Sequence, residues 1–250
     1  MATIIATVNQ KGGVGKSTTA QIIGDALTLR GERVLFVDLD AQGNLTYALG
    51  AQQAELTAYE VLTGTHNAEQ AITPTVQGDI LPASPKLAAI DTKFSGKAGR
   101  AYALSKALEP VQQRYSYIII DTPPALGSTV INALTAADEV VIPTKADAFS
   151  LQGLGALAQT LEAVLSTTNP ELQVAGILLQ QFNPRTVLSQ QIAGMVHQVA
   201  AQLNTTVFRA TIRDATAIRE AQALQENIVA YTKRQKVGQD IKAFIKELLG

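Results

Sequence analysis

The chain has 250 residues, 46% hydrophobic and 16% charged, a balance that suits one large, ordered α/β domain with a substantial core. It contains no cysteine, which excludes disulfides, thiol catalysis and cysteine-held metal or iron–sulfur centres, and His66 and His197 are too scattered to make a zinc site. With a formal net charge of −1, any affinity for nucleic acid has to come from a local patch, and no apolar run approaches the ~18 residues of a membrane span, so a cytoplasmic protein is expected.

The first predicted element is a strand over 3–8, Thr3-Ile4-Ile5-Ala6-Thr7-Val8, so no signal peptide is expected. A glycine-rich turn follows, Lys11-Gly12-Gly13-Val14-Gly15-Lys16-Ser17-Thr18, and then a helix over 16–30. Strand, glycine turn and helix in that order are the context of a phosphate-binding loop. Glycine lets successive N–H groups point at phosphate oxygens, and the helix start adds the positive end of its dipole. Lys16 is placed to reach the β- and γ-phosphates, and the Ser17 hydroxyl to hold Mg²⁺. The strict spacing would put a glycine at position 10, where this chain has Gln10, so the loop is a variant. One lysine suffices for such a loop; Lys11 is surplus and implies a different target.

The strand over 33–37 runs into Asp38-Leu39-Asp40-Ala41-Gln42-Gly43-Asn44. Its two carboxylates emerge at a strand's C-terminal end, where open α/β sheets place their ligands. Two residues apart, both would point to one side of an extended chain. One acid would assist the metal or the loop; Asp40, farther out, is the candidate to orient the water that attacks the γ-phosphate. Residues 55–96 are broken by Gly64, Pro74, Gly78, Pro82 and Pro85 and suggest short helices with a strand near Ile80-Leu81. A helix over 98–114 precedes the strand 117–121, which ends in Asp121-Thr122-Pro123-Pro124. An apolar strand ending in aspartate is a weak signal alone, but behind a phosphate loop it points to a second Mg²⁺ contact. The candidate metal set is therefore Ser17, Asp40 and Asp121.

Strands over 139–143 and 174–180 and helices over 150–166, 187–203 and 237–249 complete the alternation. It predicts a three-layer P-loop NTPase fold: an α/β protein with a mainly parallel central sheet flanked by helices on both faces, in a single domain spanning 1–250. Two stretches are basic: six cations against two acids between Pro82 and Arg114, and eight against five from Arg209 to Gly250. A solvated face is the default reading of both.

Taken together, Lys11-Gly-Gly-Val-Gly-Lys16-Ser17-Thr18, Asp38-x-Asp40-x-Gln42-Gly-Asn and Asp121-Thr-Pro-Pro resemble the deviant-Walker ATPases of the ParA/MinD group. The likeness to ParA (Soj-like) DNA-partition ATPases covers nearly the whole chain and is closest over 1–50 and 115–195. It implies a slow Mg-ATPase with ATP or ADP and Mg²⁺ as cofactors, a homodimer formed with ATP, nonspecific binding to double-stranded DNA, and a ParB-like adaptor that stimulates hydrolysis. In such a dimer the signature lysine, here Lys11, crosses to the partner's nucleotide. The likeness also assigns DNA contacts to Arg185 and Arg213, with Lys233, Arg234 and Lys236 in support, and places Asn183 and Thr211 near the adenine. This chain lacks the proline frequent before the second arginine, having Val207-Phe208-Arg209-Ala210-Thr211, and Ala41 replaces another. The implied setting is the cytoplasm, on the nucleoid, with no membrane expected. The alternatives are a MinD-like membrane ATPase using the amphipathic 241–249 tail, and ParA-like positioning of another cytoplasmic cargo.

Overall fold

Runs of β-branched and aliphatic residues bounded by turns make buried parallel strands, because a strand covered on both faces has no polar side to show. In the computed structural model, which describes residues 1–95, 99–183 and 187–250, six such strands form one all-parallel sheet. Along the chain the elements are β1 (Thr3–Thr7), α1 (Lys16–Leu29), β2 (Val34–Asp38), α2 (Asn44–Ala48), α3 (Ala58–Thr63), α4 (Ala68–Ala71) and β3 (Asp79–Leu81). Then come α5 (Ile90–Phe94), α6 (Ala103–Leu108), β4 (Tyr117–Asp121), α7 (Ser128–Ala136), β5 (Glu139–Lys145), α8 (Ala148–Thr167) and β6 (Gln173–Gln180). The last four are α9 (Val187–Gln202), α10 (Thr216–Ala223), α11 (Ile228–Thr232) and α12 (Lys236–Leu249). The strand order is β3-β2-β4-β1-β5-β6.

Alternation along the strands divides the core in two. Ile4, Ala6, Leu35, Val37, Ile118 and Ile120 face one side, beneath Leu62 of α3, Leu104 of α6, Leu134 of α7, Leu157 of α8 and Val196 of α9. Ile5, Val34, Phe36 and Ile119 face the other, against Ile22 and Ile23 of α1, Ile218 of α10, and Ile241 and Phe244 of α12. Helix α1 lies unusually close to β2: a Cβ on Gly24 would stand 2.1 Å from the Phe36 ring. Only glycine permits that approach.

The register sets up the site. Asp121 pairs with Thr7 on one side and with Asp38 on the other, so the ends of β1, β4 and β2 lie side by side. The structure departs from expectation after residue 98 and again after β6. The helix over 98–114 is a 3₁₀ turn at Arg100–Tyr102, the short α6 and a second 3₁₀ turn at Gln112–Arg114, because Pro110 has no N–H to continue the ladder. The segment around Thr211-Ile212-Arg213 adds no strand to the sheet; Ile212 makes only an isolated bridge to Gln180. The short α10 and α11 stand where no helix was expected. Helix α12 buries Val237, Ile241 and Phe244, and the Phe244 ring meets Phe208 edge-on at 5.2 Å between centroids. Among the described residues no helix is long and apolar enough to cross a membrane.

Candidate functional site

The loop after β1 is anchored before it turns. Asn9 is fully buried; its Nδ2 donates to Pro143 O at 2.8 Å and its Oδ1 accepts from Lys11 N at 3.0 Å. Gly13 and Gly15 then take φ of 70° and 92°, left-handed conformations that favour glycine. Gly15 caps α1 with no side-chain hydrogen bond, so the first N–H groups of that helix are left for a ligand. Val14 is fully buried. Gly12, Gly13, Gly15, Lys16, Ser17 and Thr18 line a cavity of ≈ 480 Å³, with Asp40, Gln42, Tyr47 and Pro124 across from them.

Lys16 is nearly buried, and its Nζ donates to Lys11 O at 3.1 Å. Burial lowers its pKa, while Asp121 and Asp40 pull the other way. Lys11 behaves differently. Its Nζ sits between both oxygens of Asp147, each at 2.5 Å, with Ser150 Oγ at 3.4 Å. Asp147 caps α8 by accepting from Ser150 N at 2.9 Å. Burial would raise the Asp147 pKa, but the bonds from Lys11 and Ser150 outweigh it and hold it below the ordinary carboxylate range. The two lysines of the loop thus have separate destinations, one inside the cavity and one on α8.

The two acids after β2 also divide. Asp38 is fully buried and accepts from Asp40 N at 3.0 Å, Thr46 N at 2.8 Å and Thr46 Oγ at 2.7 Å. Burial pushes its pKa up to about 6 against those hydrogen bonds. Asp38 therefore ties the turn to α2 and does not reach the cavity, whereas Asp40 borders it and accepts from Gln42 N at 3.0 Å. The two acids therefore serve different ends: Asp38 bonds back to Asp40 N and to Thr46, and Asp40 alone of the pair lines the cavity. Asp121, also fully buried, has no well-formed hydrogen bond on either oxygen. Burial and then the Asp38 charge raise its pKa well above the usual value, although the Ser17 hydroxyl and Lys16 are close enough to oppose this. A buried carboxylate in that condition calls for a cation. Ser17 and Asp121, with Asp40 nearby, fit Mg²⁺: all three offer hard oxygen ligands.

Beyond Gln181 a smaller recess of ≈ 70 Å³ opens, lined by Gln180, Asp214, Ala215 and Ile218 among others. Asn183 and Thr211 border neither cavity. Arg213 does line the recess, but its guanidinium makes a two-pronged ion pair with Asp240 of α12, at 2.5 and 2.7 Å. Lys233 and Arg234 are exposed between α11 and α12, and Lys236, also exposed, opens α12 about one turn before Asp240, the partner of Arg213. Arg185 lies outside the described residues. Reading the sequence missed Asp147, Thr46, Gln181 and Gln222. Only Asp147 left a trace there, as an Asp-x-x-Ser helix start.

An AAA-domain family model matches residues 2–174. The chain is 38% identical over 240 residues to the sporulation initiation inhibitor protein Soj of Bacillus subtilis, covering 94% of each chain. It is 38% identical to the chromosome partitioning protein ParA of Caulobacter vibrioides, covering 91% of this chain and 86% of that one. A solved structure of cobyrinic acid a,c-diamide synthase from Mycobacterium smegmatis, with bound ADP and magnesium, is 36% identical and superposes with a TM-score of 0.80 over 95% of this chain and 97% of that one.

Proposed function

Because the chain belongs to the ParA/MinD family of P-loop ATPases, an ATP hydrolase group with Mg²⁺ as cofactor, we propose that it is a DNA-partition switch in which ATP closes a homodimer on nonspecific double-stranded DNA. The observation that carries this reading is the pair of destinations for the two loop lysines. Lys16 serves the phosphates of its own subunit. Lys11 is held on Asp147 outside that cavity, and in the dimer it swings across to the phosphates bound by the second copy. A cation supplied across the interface makes nucleotide occupancy and association interdependent. Lys16 and the backbone from Gly12 to Thr18 would hold the triphosphate, Ser17 and Asp121 would hold Mg²⁺, and Asp40 would orient the attacking water. Bound there, Mg²⁺ would supply charge neutralisation for the transferring phosphoryl group.

Two copies together present Arg213 and the Lys233, Arg234 and Lys236 cluster twice, so avidity rises with no new contact. Contacts of this kind go to phosphates, carry no sequence information and weaken with salt. A ParB-like adaptor on the cargo stimulates hydrolysis and releases the dimer, which works in the cytoplasm on the nucleoid. The apolar face of α12 is packed on the sheet, which favours DNA over a membrane as the surface bound. The test is a titration of nonspecific duplex against apo, ADP and ATP-Mg²⁺ protein, beside a Lys233→Glu/Arg234→Glu variant. Both residues are exposed, so the fold is not disturbed. ATP-only binding that falls steeply with salt and is lost in the variant is expected. Equal binding in all three nucleotide states would contradict the switch.

A further inference from the structure

The phosphate cavity and the smaller recess share four residues: Gly15, Thr18, Gln181 and Gln222. A nucleotide with its phosphates on the loop and its base in the recess has its ribose at that seam. Gln222, half-buried on α10, is held there by a chain of amides whose direction can be worked out from its far end.

Backbone carbonyls accept hydrogen bonds and cannot turn round to donate. Gln77 Nε2 donates to two of them, Ala48 O at 3.2 Å and Gln225 O at 2.9 Å, which fixes which end of that amide is nitrogen. Gln77 Oε1 is then the acceptor for Gln21 Nε2 at 3.3 Å. Gln21 Oε1 in turn accepts from Gln222 Nε2 at 3.2 Å, with Thr18 Oγ a longer second acceptor at 3.4 Å. Flipping Gln222 would set two carbonyl oxygens against each other unless the whole chain flipped, and Gln77 forbids that. Gln21 and Gln77 are buried, so no bulk water relieves a wrong orientation. The relay leaves Gln222 Oε1 with no donor among the described residues, on a side chain that borders the seam.

We propose that Gln222 reads the ribose of the bound nucleotide: its Oε1 accepts a hydrogen bond from a ribose hydroxyl, in an orientation imposed by Gln77 through Gln21. The inference rests on the ATP-binding reading of the cavity. Gln222 is a ligand-contacting residue, and Gln77 is a positioning residue acting from the turn beside α2. The relay makes the site selective for ribonucleotide over deoxyribonucleotide without touching the base.

Calorimetric titrations with ATP, 2′-deoxy-ATP, 3′-deoxy-ATP and inorganic tripolyphosphate test this in wild type, Gln222→Met and Gln77→Leu. Methionine keeps the length and helix propensity of glutamine but removes the amide. Wild type is expected to hold ATP about 3–10-fold more tightly than one of the two deoxy analogues, the worth of one hydrogen bond. Gln222→Met abolishes that preference and leaves tripolyphosphate affinity where it was; Gln77→Leu narrows the preference by letting the amides turn. Equal wild-type affinity for all three nucleotides, or a preference that survives Gln222→Met, overturns the proposal while leaving ATP binding intact. A full preference in Gln77→Leu overturns the relay. Tripolyphosphate binding without ATP binding would instead remove the reading on which the inference rests.

Discussion

At the scale of single residues, the contact between Lys11 and Asp147 sets a competition. If Lys11 crosses to a second subunit's phosphates as proposed, it must release Asp147, so the ion pair would oppose dimerisation by whatever it is worth. Both side chains are partly exposed, at 26% and 36%, and such pairs contribute about 0–1 kcal/mol. Asparagine caps helices as well as aspartate does, so Asp147→Asn preserves α8 while removing the charge. The half-saturating ATP concentration for dimer formation should fall about 2–5-fold in that variant, read by light scattering. No change, or a rise, would show that Asp147 does not restrain Lys11.

Asp25, on the buried side of α1, gives a prediction in pH. Its Oδ2 accepts from Ile228 N at 2.6 Å while Oδ1 has no partner, and burial raises its pKa well above the ordinary value despite that N–H. The folded state therefore binds this proton more readily than the unfolded one. The group's favourable contribution is complete below the unfolded-state pKa and is lost as pH rises through the raised folded-state value. Asp25→Asn cannot titrate, so its urea midpoint relative to wild type should improve between about pH 5 and pH 8. A difference that does not move with pH would mean that Asp25 is ionised in both states throughout that range, so that its folded-state pKa is not raised.

At the scale of elements, what was legible in the sequence is what local chemistry dictates. The loop 11–18 could be read because glycine at 13 and 15 answers a backbone requirement, and the strands because continuous aliphatic runs have few other uses. Asp121 was legible as the end of β4, but its side-by-side placement with Asp38 is a property of the β2–β4 register. The broken helix after residue 98 was misread by giving periodicity more weight than Pro110. The Lys11–Asp147 pair spans 136 residues, and the glutamine relay joins α1, the turn at 75–78 and α10. Nothing local announces either. Gly24 is a similar case, an inconspicuous helical glycine until Phe36 is seen against it. Alanine there gains about 1 kcal/mol in helix propensity, but the 2.1 Å approach forces helix and strand apart at about 1–3 kcal/mol or more. The clash should win, and Gly24→Ala should lower the denaturation midpoint. A stabilised variant would mean that Phe36 has room to move.

At the scale of the whole molecule, the sheet gathers every reactive group at the C-terminal ends of its central strands. The phosphate loop follows β1, Asp40 follows β2, and Asp121 ends β4. Helices α7 and α8 follow β4 and β5, and α8 begins at the Asp147 cap that holds the second lysine. One end of one sheet thus carries both the phosphate loop with its acids and the lysine proposed to reach a second copy. Lys233, Arg234 and Lys236 line neither the phosphate cavity nor the recess beside it, so DNA held there, as proposed, would leave the nucleotide unobstructed. This division rests on Lys11 working between subunits, and sedimentation-velocity analysis of wild type and Lys11→Ala, each with ATP and Mg²⁺, tests it most directly. Wild type is expected to shift to a dimer while Lys11→Ala binds ATP and stays a monomer; a Lys11→Ala protein that dimerises with ATP as wild type does would show that Lys11 does not act between subunits.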